Sequence, residues 1–310
     1  MRPADRTFCD VPSVALDPDR PGANRPLLAA LDAVVLSAAH GTPYAPGTPS
    51  HAAGAPDALR TALAWYATGR TQIDMDAGLP VMGHTRVADA GEIRGTLDDG
   101  PANRAAITKA IQAVREGCAV PVLLGGDDST PIPFLEAFRG QDLWIVQVDA
   151  HIDWRDAVEG ETHGFSSTMR RASEMAHIRG IVQIGARGPG SAREGDVADA
   201  RAWGAKLYPM RDVRAAGLEA ALAEVPEGAA VVLAFDVDAL DPALNPGVLL
   251  PAFGGLSYPQ ALEIIETLAS RTLIMGACFV EYVPERDPAG LGGQAIARII
   301  CNFLARLGQK

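Results

Sequence analysis

The chain has 310 residues, 48% of them hydrophobic, and a formal net charge of −11. That is enough apolar material to bury a large core in one or two domains, and the acidic balance argues against a nucleic-acid backbone as partner. The N-terminal MRPADRTFCDVPS lacks the apolar stretch of a signal peptide and no run approaches membrane-spanning length, so the expectation is a cytoplasmic protein with no membrane association.

Taken in chain order, helical patterns fall at 103–116, 131–138, 166–176, 191–203, 213–224, 258–269 and 293–307. Ser257 before Tyr258 and Pro259 has the chemistry of a helix start, with serine as cap and proline in the first turn. Between these helices lie short apolar or β-branched runs at 120–124, 143–148, 181–184, 229–235 and 273–275, the last continuing apolar to 280. Such alternation predicts a three-layer α/β/α fold, its mainly parallel central sheet covered on both faces by helices. No linker, repeat or low-complexity tract divides the chain, so residues 1–310 read as a single domain. Cys9, Cys118, Cys278 and Cys301 show no paired metal spacing and read as free thiols in a reducing compartment.

Three acidic clusters each follow one of the strand-like runs: GGDDS at 125–129, DAHID at 149–153 and DVDALDP at 236–242. If the strands lie parallel, their carboxyl ends share one edge of the sheet, where open α/β folds place ligand sites. Carboxylates brought that close repel, and burying them is costly without a cation among them. Alternate residues of an extended segment project to the same side, which would group Asp149 with His151 and Asp153, and Asp236 with Asp238. The donors are oxygens with one imidazole and no thiolate, a set suited to two divalent ions such as Mn²⁺ rather than a structural zinc. A lone DxH or DxD is ordinarily a cap, a turn or a solvated loop; several at three strand ends are harder to dismiss. Glu281 follows 273–280 and occupies a further strand end, whereas His163 in ETHGF is by itself an ordinary loop histidine. His40, His51, His84 and His177 have no such placement and read as structural or exposed.

At these residues the chain resembles the ureohydrolases: arginases, agmatinases, guanidinobutyrases and their relatives. The likeness runs from DAVVLSAAHGTPYAPG near Asp32 through PDALR at 56–60 and DMDAG at 74–78 to QIGARG at 183–188 and MGACFVEYVPERDP at 275–288. DAHxD paired with DxDxxDP is its specific signature, and PYxxG followed by PxALR is closer to the agmatinase branch than to the arginase branch. The resemblance implies that Asp149 and Asp236 bridge two metals, most simply Mn²⁺ with Ni²⁺ as the alternative. Asp153 and Asp128 would complete one ion, and His151 and Asp238 the other. It also implies that Asp153 accepts a hydrogen bond from the activated water, that Glu281 holds the substrate guanidinium, and that His163 shuttles a proton to the leaving amine. The products would be urea and an amine, and the assembly a homo-oligomer, trimer or hexamer.

One residue departs from the family pattern. The usual motif is GGDHS, with histidine as a ligand, where this chain has Asp128. Asp128, Asp149, Asp153, Asp236 and Asp238 then carry five negative charges against four on two divalent ions. The centre becomes more anionic by one, which raises the pKa of metal-bound water and attracts a small cationic guanidino substrate. An agmatine-like tail wants acids and a guanidino-acid tail wants Arg or Lys; the loop after DAHID offers Asp156, Glu159 and Glu161 beside Arg155, with Arg170 and Arg171 soon after. WRDAVEGETHGF lacks the asparagine and serine with which arginases grip an α-amino acid, which speaks against arginine. Agmatinase-like hydrolysis is the leading expectation. A guanidino-acid hydrolase, a formimino-group hydrolase and a non-catalytic paralogue acting as a partner subunit stand beside it, and a one-metal, deacetylase-like amide hydrolase would need fewer acids.

Overall fold

The computed structural model describes residues 1–64 and 72–308. The single-domain expectation for 1–310 also takes in 65–71 and 309–310, which lie outside the described residues. The strands are β1 (Ala33–Ala38), β2 (Ile73–Asp74), β3 (Leu79–Pro80), β4 (Val87–Glu92), β5 (Val120–Gly125), β6 (Leu143–Val148), β7 (Ile178–Ile184), β8 (Lys206–Tyr208), β9 (Ala230–Asp236) and β10 (Leu273–Val280). β2 and β3 form a small antiparallel pair. The other eight build one sheet in the order β4-β1-β5-β10-β9-β6-β7-β8, parallel at every pairing.

Side chains on successive strand residues alternate between two apolar layers, as the pleat requires. On β5, Val122 and Leu124 join one layer and Leu123 the other; on β9, Val231, Leu233 and Phe235 face away from Val232 and Ala234. One face is covered by α1 (Pro21–Leu28), α3 (Gly100–Glu116), α4 (Pro131–Glu136), α5 (Thr168–Ser173) and α6 (Glu194–Trp203). The opposite face carries α2 (Ala55–Ala62), α7 (Met210–Ala216), α8 (Glu219–Ala223), α9 (Tyr258–Arg271) and α10 (Leu291–Leu307). The three-layer α/β/α architecture with a parallel sheet is therefore the observed one.

The helix read at 213–224 is in fact two. Gly217 adopts φ +79° and ψ −169° and ends α7 before α8 begins, a conformation that favours glycine and breaks the helical ladder. The pattern at 166–176 shortens to α5, and that at 191–203 begins only at Glu194. α9 starts where serine-proline chemistry placed it, closed by a reciprocal capping box between Ser257 and Gln260. The strand order matters most for function: β5, β10, β9 and β6, the four strands that precede Asp128, Glu281, Asp236 and Asp149, are consecutive neighbours.

Candidate metal centre

Asp128 stands in the loop between β5 and α4, Asp149 to Asp153 follow β6 directly, and Asp236 is the last residue of β9. Asp238 lies in the 3-10 turn Val237–Ala239, and Glu281 follows β10. The extended-strand account of how the DAHID and DVD acids share a face is corrected by this geometry. Past Val148 and Asp236 the chain turns: the Asp149 Oδ1 accepts the His151 N–H at 2.5 Å and the Asp236 Oδ1 accepts the Asp238 N–H at 2.7 Å. Asp153 has φ +49°. Short turns closed by the aspartates' own side chains, rather than a pleat, aim these groups together.

Together they are dense and dry. Carboxylate oxygens of Asp128, Asp149 and Asp236 lie within 4.8 Å of one another, and the same spacing joins Asp149, His151 and Asp238. The six acids, Glu281 included, are between 1% and 9% exposed. Burial, followed by repulsion from neighbouring acids, holds Asp128, Asp149 and Asp236 well above the usual carboxylate range. Asp153 is also pushed up, first by burial. Burial opposes the imidazolium of His151, but hydrogen bonds to Asp149 and Asp238 outweigh it and push that ring up to about 12; its Nδ1 is 2.9 Å from Asp238 Oδ2 and 3.3 Å from Asp149 Oδ1. In return His151 holds Asp238 low against the opposing effect of burial. The Oδ2 of Asp128 is buried with no hydrogen-bond partner, which is costly for an oxygen unless a cation meets it. An orphaned carboxylate oxygen among repelling, oxygen-rich donors fits divalent metal ions.

A buried relay of side chains supports the cluster. Gln147, on β6, donates from Nε2 to Asp149 Oδ2 at 2.7 Å and to Asp153 Oδ2 at 2.8 Å. Its Oε1 accepts from Gln183 of β7, its register partner, and the Gln183 Oε1 accepts from Trp154 Nε1 at 2.7 Å. These groups were not among the expected site residues; the signal was a buried glutamine one residue from the end of each of two strands that are apolar on either side of it. Such hydrogen bonds fix carboxylates that would otherwise splay apart.

Glu281 joins the same edge. Its Oε1 accepts the Asp128 N–H at 2.8 Å, while its own N–H bonds Gly126 O at 2.8 Å. Gly126 leaves no room for a side chain: a Cβ there would stand 2.3 Å from Ala39 O. The Oε2 of Glu281 is paired with His51 Nε2, so reading His51 as merely structural or exposed is corrected. Its ring also meets Phe165 edge-on at 5.1 Å. His163 is not brought to the carboxylates. Its Nδ1 lies 2.8 Å from Thr162 Oγ1, it lines a separate cavity with Arg104 and Arg171, and burial, then Arg104, lowers its pKa. His40 and His177 line other cavities, His177 bonding Leu135 O, and His84 is exposed.

The carboxylates open onto a cavity of ≈ 230 Å³ that exposes Asp128, His151, Asp153, Asp236, Asp238 and Glu281 at its floor. Its walls are formed by Trp154, Phe165, Leu249 and Leu250, and Arg155 and Asp196 stand at its rim. The four cysteines are free thiols. Among the described residues no helix is long and apolar enough to cross a membrane.

Comparison with known proteins gives the family and the fold. The Arginase family profile matches residues 33–305. A guanidinobutyrase of Pseudomonas aeruginosa is 36% identical over 193 residues, 59% of this chain and 60% of that protein. A guanidinopropionase of the same organism is 32% identical over 242 residues, 73% of this chain and 75% of that one. The crystal structure of a hypothetical agmatinase from Burkholderia thailandensis superimposes with a TM-score of 0.79 at 25% identity, covering 97% of this chain and 90% of the other. By the extent of that profile match and the second relative's coverage, the chain belongs to the Arginase family of ureohydrolases.

Proposed function

We propose that the chain is a binuclear metal-dependent hydrolase that splits a linear guanidino compound into urea and an amine, in the manner of an agmatinase. The observation that carries this reading is the convergence of Asp128, His151, Asp153, Asp236, Asp238 and Glu281 on one cavity, with Asp149 clustered among them. Asp149 and Asp236 would bridge two ions, with Asp128 and Asp153 on one and His151 and Asp238 on the other. Such ions, Mn²⁺ first and Ni²⁺ second, supply Lewis acidity and a nucleophile at neutral pH.

The chain's own residues account for the rest. Gln147 ties Asp149 and Asp153 to one amide and keeps their oxygens aimed inward. Glu281 presents a buried carboxylate to the cavity floor, where paired charge-assisted bonds orient a planar guanidinium for attack. Proton delivery to the departing amine falls to His163. That ring shares its loop with Phe165 and Ser166 of the cavity but opens elsewhere, so delivery needs loop movement or a bridging water. The guanidinobutyrase and guanidinopropionase among the relatives support a guanidino acid as the second reading of the substrate.

The test is urea release from agmatine, 4-guanidinobutyrate, 3-guanidinopropionate, arginine and guanidine after loading with Mn²⁺, Ni²⁺ or Zn²⁺, with bound metal measured in parallel. Two ions per chain and urea from one substrate are expected, with Asp128→Ala losing about one ion. Two ions without urea would point to another amidine or amide, and no bound metal would favour a non-catalytic partner subunit.

A further inference from the structure

Resting on the reading that a guanidinium sits against Glu281, and taking for its tail the guanidino acid named second above rather than the agmatine-like amine, we infer that Arg155 grips the far end of the substrate and that this end is a carboxylate. Arg155 stands two residues after Asp153, and its main-chain N–H bonds Ser166 O at 3.0 Å, which roots it beside the acid cluster. Its side chain is 17% exposed and borders the same cavity. One donor is spent: Nη1 meets Asp196 Oδ2 at 2.5 Å. That same oxygen also accepts the Arg193 N–H at 2.9 Å, as part of the cap of α6.

The two members of this rim pair are therefore unequally satisfied. Asp196 is held by two donors, the Arg155 guanidinium and a backbone N–H. Among the described residues the Arg155 guanidinium makes only this one side-chain hydrogen bond, and a guanidinium has five N–H groups. Its remaining edge is a planar fork of the shape that receives a carboxylate in two parallel bonds. An ammonium tail placed there would instead face a like charge. Leu249, Leu250 and Phe165 line the space between rim and floor, a wall suited to methylenes. The ligand class is a short ω-guanidino carboxylic acid, with Arg155 as the residue that selects it over a guanidino amine.

The experiment measures two quantities on metal-loaded protein, kcat/KM by urea release and Kd by calorimetry, for 4-guanidinobutyrate, 3-guanidinopropionate and agmatine. The native protein is expected to prefer the acids. Arg155→Ala should cut the acid-to-agmatine ratio by about 10- to 100-fold, the worth of a charged hydrogen-bonded contact. Arg155→Glu should invert the preference, an outcome that only a folded protein can give. Agmatine preferred by the native protein, or a ratio unmoved in both variants, overturns the clamp and leaves the hydrolase reading intact. Acid binding that depends on Arg155 without urea release supports the clamp and removes the hydrolase reading. Binding of neither tail overturns the clamp.

Discussion

Glu281 is held by two groups that belong to different parts of the chain. The Asp128 N–H fixes one oxygen and His51 the other, in a residue whose backbone already sits at φ +70°. Burial raises the Glu281 pKa while His51 opposes that shift, so the histidine favours the charged form of the carboxylate as well as aiming it. His51→Ala is expected to lower kcat/KM for the guanidino substrate by about tenfold, with His51→Gln recovering part of the loss because it keeps a donor. Metal content measured on both variants should match the native protein; a drop in bound metal would mean that His51 acts on the metal cluster and not on Glu281. The acids of this site were legible as residues because carboxylates rarely gather at strand ends without a cation. His51 was not, because nothing in TPSHAAG ties it to a strand end some 230 positions away.

At the scale of elements, apolar runs placed β5, β6, β7, β9 and β10, since a strand buried on both faces has no room for polar residues. Exceptions such as Gln147 and Gln183 form the hydrogen-bonded relay that reaches Asp149 and Asp153. Another polar contact locks elements that the sequence left unassigned. Arg60 of α2 forms a forked pair with Asp89 of β4, Nε to Oδ2 at 2.8 Å and Nη2 to Oδ1 at 3.0 Å, and donates to Ser37 Oγ of β1 at 3.0 Å. Both partners are almost fully buried. Removing one leaves an uncompensated buried charge, a loss of about 3–5 kcal/mol. Arg60→Ala should therefore lower Tm by roughly 5–10 °C, read by calorimetry; a shift under roughly 2 °C would show that water or a neighbour replaces the pair. α7 and α8 teach the opposite lesson, because the apolar periodicity of 213–224 continues across a break that only Gly217 causes.

For the whole molecule, the carboxylate cluster links stability to pH and metal. Asp128, Asp149 and Asp236 have native pKa values above those of an unfolded aspartate, so without metal the native state holds more protons than the unfolded chain. Its stability from this source is present below the ordinary carboxylate pKa and falls as pH rises through the raised values. Asp128→Asn, which carries no charge to deprotonate, should therefore gain Tm over the native protein under chelation, increasingly from pH 5 to pH 8. A difference that stays flat across that range would show that Asp128 is not strained by its neighbours. With Mn²⁺ restored the order should reverse, since the ion compensates the charge.

The sequence by itself determined the fold class, because alternating apolar runs and amphipathic helices admit few arrangements. It also determined the identities of the clustered acids, a donor set suited to divalent cations. Tertiary structure alone decided that β10 inserts between β5 and β9, which puts Glu281 beside Asp128. It alone decided that His51 reaches Glu281 while His163 faces another cavity. Local preferences act over a few residues; these juxtapositions depend on strand order and loop return, where the partners are distant along the chain.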